Sequence, residues 1–190
     1  MTGAAFRYDF NSPYAYLAAE RIDELVGPDV RWQPIAFAFL LRAQQRVPWS
    51  LGPERADGVA ECERRAAARG LPPIRWPDGW PDGSYSLDPL RAALVAEREG
   101  LQREYSRAAF RAFFVDGRSL GGEAALDVGV AVGLDREATR AAMAGWAKEE
   151  LRAVTDEAIA AGVPGVPTVT VGGEHFWGDD RLTDAARVLA

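Results

Sequence analysis

Reactive side chains of three kinds are nearly missing from this sequence. Cys62 is its one cysteine and His175 its one histidine, and of 22 basic residues only Lys148 is a lysine. A single cysteine excludes an intrachain disulfide, a dithiol redox centre and a cysteine-rich metal site. A single histidine gives no support to a histidine-based triad or a multi-histidine zinc site. No metal is therefore expected, and any chemistry must come from hydroxyls, carboxylates, backbone groups or a borrowed reagent. Long apolar runs are also missing, none approaching the roughly 20 residues that a membrane span needs. The first residues, MTGAAFRYDF, lack the basic flank and apolar core of a secretory signal, which predicts a cytoplasmic protein with no membrane partner. A net charge of −6 speaks against general affinity for nucleic acid.

What is present is periodic. The 190 residues suffice for one ordinary domain or a small domain carrying a large insertion. Phe6, Tyr8 and Phe10 alternate with Arg7 and Asp9, the period of a strand over 4–10. From Pro13 to Val26 the period becomes helical, with Tyr14, Leu17, Ala18, Ile22 and Leu25 on one face and Arg21 interrupting it. Gly27-Pro28 stops that helix, and 30–37 reads as a second strand, parallel to the first as its neighbour or near-neighbour. Helical spacing then recurs over 53–69, 88–99, 101–115, 122–133, 135–145 and 147–161, broken by an ordered proline-rich loop at 70–84. A strand follows GVPGVP, pairs as a hairpin with 174–178, and leads to a closing helix over 179–190. This order predicts an α/β thioredoxin fold interrupted by a large all-helical insertion. Residues 1–40 and 162–190 would form the discontinuous thioredoxin-like unit, and 41–161 the insertion.

In such a fold two turns meet, the one after the first strand and the X-Pro turn before the third. The first holds Ser12-Pro13, which reads as a helix cap followed by proline at the first helical position. Its hydroxyl is equally a candidate to face a substrate. The second holds Val166-Pro167, where either a cis bond or a trans proline opening a strand fits the local sequence. A cis bond would offer the Val166 amide and carbonyl to a ligand as a strand-like partner.

DFNSPYAYLA near one end and GVPGVPTVTVGGEHFWGDDRL near the other, with the helical block between them, resemble the 2-hydroxychromene-2-carboxylate isomerases. That family is similar in turn to the kappa-class glutathione transferases and DsbA-type oxidoreductases. The resemblance implies a DsbA-like fold, a homodimer, and glutathione or another low-molecular-weight thiol as cofactor. Redox members carry Cys-X-X-Cys where this chain has Ser12-Pro13-Tyr14-Ala15, so Ser12 is expected to contact the thiol sulfur as hydrogen-bond donor. A thiol of pKa about 8.5 is about 3% ionised at pH 7, and lowering that value two units takes about 2.7 kcal/mol. A hydrogen bond to a charged group supplies about 1.5 to 3 kcal/mol and a helix N-terminus about 0.3 to 1.

The resemblance also implies that Val166 and Pro167 hold the thiol's peptide backbone. Asp180 would take its α-ammonium, with Asp179 or backbone amides at the neighbouring carboxylate. Helix capping is the alternative role for both aspartates. Where the family has an asparagine and a lysine toward the glycyl end, this chain reads QQRVPWSLGPERADG, and Arg46 or Arg55 is expected to replace that charge. Tyr14, Trp49 and Trp177 are the candidates for a pocket that takes a small aromatic substrate. The expected activity is thiol-dependent isomerisation of a conjugated aromatic carbonyl compound. A kappa-like transferase and a non-catalytic binding protein are the alternatives. Cys62 is expected to be a small buried residue, and His175 an exposed one without a role.

Overall fold

The computed structural model describes residues 3–82 and 86–189, so part of the expected loop at 70–84 and the end of the last helix lie outside the described residues. Its elements run β1 (Ala5–Tyr8), α1 (Pro13–Ala19), α2 (Ile22–Leu25), β2 (Arg31–Pro34) and α3 (Phe37–Ala43). A 3-10 turn (Trp49–Leu51) precedes α4 (Arg55–Ala68), α5 (Leu87–Arg98), α6 (Gln102–Phe114), α7 (Glu123–Ala131), α8 (Arg136–Ala144) and α9 (Trp146–Ala160). The chain closes through β3 (Thr168–Val171), β4 (Glu174–Trp177) and α10 (Leu182–Leu189). The sheet order is β2-β1-β3-β4, with β1 parallel to β2 and antiparallel to β3. This is the thioredoxin arrangement with helices inserted between β2 and β3.

Six inserted helices fall where their alanine-rich periodicity places them. The expected helix over 13–26 is instead two, α1 and α2, parted at Glu20-Arg21. The break turns Glu20 to Arg111 (2.7 Å) and Asp23 to Arg107 (2.7 Å) on α6, which ties the insertion to the sheet unit. The second strand ends at Pro34, and Phe37, expected in that strand, opens α3.

Phe6 and Tyr8 of β1 meet Trp32 of β2 edge-on, and Tyr8 lies tilted against Phe110 of α6 in the aromatic core. The buried Tyr8 hydroxyl bonds Ser106 at 2.7 Å. The other face of β1 is not solvated either. Arg7 is 6% and Asp9 2% exposed, because the crossover to β3 covers this face as well.

His175 is a correction to the expectation of an idle exposed residue. Its Nδ1 meets the Thr170 hydroxyl at 2.8 Å and its Nε2 meets the Ala161 carbonyl at 2.9 Å. The carbonyl only accepts, so Nε2 carries the proton and Thr170 donates to Nδ1 while accepting from Arg7 at 2.5 Å. The imidazole thus pins the β3-β4 hairpin to the end of α9. His175→Ala should lower stability by about 1 to 2 kcal/mol. Urea denaturation would show this as a lower midpoint with an unchanged slope.

Candidate active site

β1 ends where α1 must start, and the turn between them is built by Asp9. Its Oδ1 accepts from the Asn11 amide (2.8 Å), its Oδ2 from the Phe37 amide (2.9 Å), and its backbone carbonyl from the Ser12 amide (3.1 Å). One buried carboxylate therefore shapes the turn and caps the start of α3. Burial pushes this carboxyl above the ordinary aspartate range, against the pull of the hydrogen bonds from Asn11, Phe37 and Ser86.

Ser12 is the N-cap, and its Oγ accepts from the Ala15 amide at 3.2 Å. The same hydroxyl sends its hydrogen toward the Val166 carbonyl at 3.4 Å, a long contact across 154 residues of sequence. Cap and pointed hydroxyl are thus one residue in one conformation. The Val166-Pro167 bond is cis, as is Trp80-Pro81. The two turns meet at a cavity of about 1080 Å³ lined by Ser12, Val166 and Pro167.

Tyr14, Trp49 and Trp177 line the same cavity, joined by Trp80. Trp49 lies edge-on to Tyr14 (5.9 Å) and tilted against Trp80 (5.8 Å). Two glycines admit these indoles. A Cβ at Gly58 would meet the Trp49 ring at 2.2 Å, and one at Gly165 would meet Trp177 at 2.7 Å. Phe113 and Phe114 are fully buried core residues. Phe39, Val47 and Leu51 line the cavity and are half or more exposed, so its mouth is apolar.

The charged residues divide. Arg46 lines the cavity, donates to the Pro164 carbonyl (2.7 Å) and lies over the Trp177 ring (5.1 Å). Arg55 does not line it. It donates to the Trp80 carbonyl (2.7 Å) and supports that wall from behind. Asp179 and Asp180 both line the cavity and precede α10 by two or more residues without capping it. Asp179 is 1% exposed and is held by Arg65 (2.5 Å) and by ion-pair contact with Arg69, both from α4. Asp180 is open to the cavity, 3.7 Å from Arg65. Arg181 pairs locally with Asp184.

Arg65 and Asp9 are the cavity residues that sequence reasoning missed. Arg65 sat unremarked in an alanine-rich helix, yet it lies over Tyr14 (5.4 Å) and joins Glu61, Asp179 and Asp180. Asp9 read as the polar side of a strand. Its position one residue before the FNSPY turn was the available signal. Cys62 is buried, and its thiol is pushed up to about 12, chiefly by burial. Burial also raises the Tyr14 phenol, which stays protonated. Among the described residues no cluster of three or more histidine, cysteine or acidic side chains is placed to hold a metal, and no helix is long and apolar enough to cross a membrane.

A thioredoxin fold with a helical insertion, carrying serine where β1 turns into α1 and a cis-proline loop facing it, defines the class. The DSBA-like thioredoxin domain family matches residues 5–190, and the chain belongs to that family. The structure of a 2-hydroxychromene-2-carboxylate isomerase superposes with a TM-score of 0.86 at 26% identity, covering 98% of this chain and 93% of that one. A probable DsbA oxidoreductase from Streptomyces coelicolor gives 0.76 at 21%, covering 98% and 87%. The cytosolic disulfide reductase DsbM from Pseudomonas aeruginosa, solved with GSH, gives 0.67 at 22%, covering 98% and 96%. No curated protein matches the sequence.

Two outcomes follow from the geometry. Asp179→Ala should cost about 3 kcal/mol, since it leaves Arg65 and Arg69 without their buried partner, and thermal unfolding would report it. Cys62 should resist a thiol reagent in the native protein at pH 8 and react fully once the chain is unfolded.

Proposed function

We propose that this protein is a glutathione-dependent isomerase of the 2-hydroxychromene-2-carboxylate type, acting on a conjugated aromatic carbonyl compound. The observation that carries the reading is the Ser12 hydroxyl, presented to a large cavity beside the Val166-Pro167 loop with only a 3.4 Å carbonyl contact to exchange. A sulfur anion in that place gains a donor at the cost of a weak hydrogen bond. Because α1 has only seven residues, the hydroxyl rather than the helix end carries most of the stabilisation.

The cavity volume suits two ligands together, a small thiol and an aromatic substrate, since single drug-sized ligands occupy about 300 to 1,000 Å³. Trp49, Trp177 and the apolar mouth supply faces for the aromatic ring. Asp180, exposed and 3.7 Å from Arg65, is the carboxylate for the ligand's α-ammonium, and Arg46, which donates to the Gln44 and Pro164 carbonyl oxygens, is the cation for the glycyl end. Asp179 serves indirectly, by holding Arg65 at the cavity wall.

In the reaction the thiolate forms a bond to the β-carbon of the enone, and the alkene pair moves onto the carbonyl as an enolate. The former double bond rotates. Collapse of the enolate expels the thiolate and leaves the other isomer, so the thiol is regenerated.

Ser12→Ala should lower kcat about 10- to 100-fold with the fold intact. The check is interconversion of 2-hydroxychromene-2-carboxylate with catalytic glutathione, beside the ultraviolet difference absorbance of bound thiolate. Unchanged turnover would remove the role given to Ser12, and stoichiometric loss of the thiol would make the enzyme a transferase.

A further inference from the structure

The reading above leaves a proton unplaced, because the thiol enters as S–H and reacts as the anion. Asp9 is a titratable side chain of the cavity wall that is almost wholly buried and, among the described residues, has no carboxylate or arginine contact. Its three side-chain partners among the described residues differ in kind. The Asn11 and Phe37 amides can only donate, which fixes the direction of those bonds. The third partner is the Ser86 hydroxyl, 3.4 Å from Oδ2, and a hydroxyl either donates or accepts. A protonated Asp9 would therefore keep every hydrogen bond by reversing the one to Ser86. Ser86 lines the same cavity as Ser12.

Building on the thiol-dependent reading, we propose that the Asp9–Ser86 pair is the acceptor of the thiol proton. The S–H bond breaks and its electron pair stays on sulfur. Ser86 Oγ takes that proton and passes its own to Asp9 Oδ2, so a carboxylate becomes a neutral acid as a thiol becomes a thiolate. The charge of the site is unchanged by binding, and the anion is not opposed by an ionised carboxylate in the same poorly solvated wall. When the thiol leaves, the proton returns along the same path, so nothing is consumed.

Burial, which favours the neutral carboxyl, acts in the direction this role needs. The charged groups of the elements around it are otherwise disposed. Arg42 on α3, and Arg46, Glu54 and Asp82 in the flanking loops, are cavity residues, while Asp88 on α5 is turned to Arg91 and the Gly122 amide. On its own strand the Tyr8 phenol is buried, bonded to Ser106 and raised, so it does not compete for the proton.

The test is calorimetric titration of glutathione into the full-length protein at pH 7, in two buffers of different ionisation enthalpy, with thiolate absorbance recorded alongside. The expected result is thiolate formation with almost no proton released to buffer, and a new protonated-carboxyl band in the infrared difference spectrum. Asp9→Asn should release about one proton per thiolate formed and lack the band. Thiolate formed with full proton release in the wild type, or without release in both proteins, overturns the assignment. Absence of thiolate or of binding overturns the thiol-dependent reading and the assignment with it. Should Asp9→Asn fail to fold, the wild-type proton count and infrared band decide alone.

Discussion

The antiparallel pairing of β1 with β3, with Arg7 opposite Thr168, is the constraint from which the cavity follows. β1 runs out toward Ser12 at the end where β3 is entered from Pro167, so this register sets the Ser12 hydroxyl against the Val166 carbonyl. A one-residue slip would turn every side chain of β1 to the opposite face. Phe6 and Tyr8 would leave the aromatic core, and Arg7 would leave Thr170. The hydrophobic core and the site geometry are held by the same few backbone hydrogen bonds.

The cavity wall carries charges of both signs. Arg42, Arg46 and Arg65 line it together with Asp9, Glu54, Asp82, Asp179 and Asp180. Arg65 is held there because the buried Asp179 would otherwise be an unpaired charge, which is far costlier than an exposed one.

Much of the fold was legible because long alanine-rich helices have a strong period, and the order of strands around them admits few topologies. The short elements were not. α3, the 3-10 turn and the division of α1 from α2 each span a few residues, too few for periodicity to register, and are set by tertiary partners such as Asp9 and the arginines of α6. Ser12 and Val166-Pro167 were found because both sit at topologically fixed turns. Arg65 and Asp179 lie 114 residues apart, and no local pattern joins them. Likewise, nothing around Gly58 or Gly165 announces that each makes room for an indole. The idle role expected of His175 failed for a related reason, since both of its partners come from other elements.

The cavity is assembled from two kinds of chain. The sheet unit contributes Ser12, Val166, Pro167, Trp177 and Asp180, and the insertion contributes Trp49, Arg65, Trp80 and Ser86. Trp49 and Trp80 sit in the 3-10 turn and the loop between β2 and α5, outside the sheet, so they can change while the strand register stays fixed. Part of the cavity wall is thus mutable apart from the strand pairing, and a lineage of such proteins can reshape that wall without rebuilding the turn that holds Ser12.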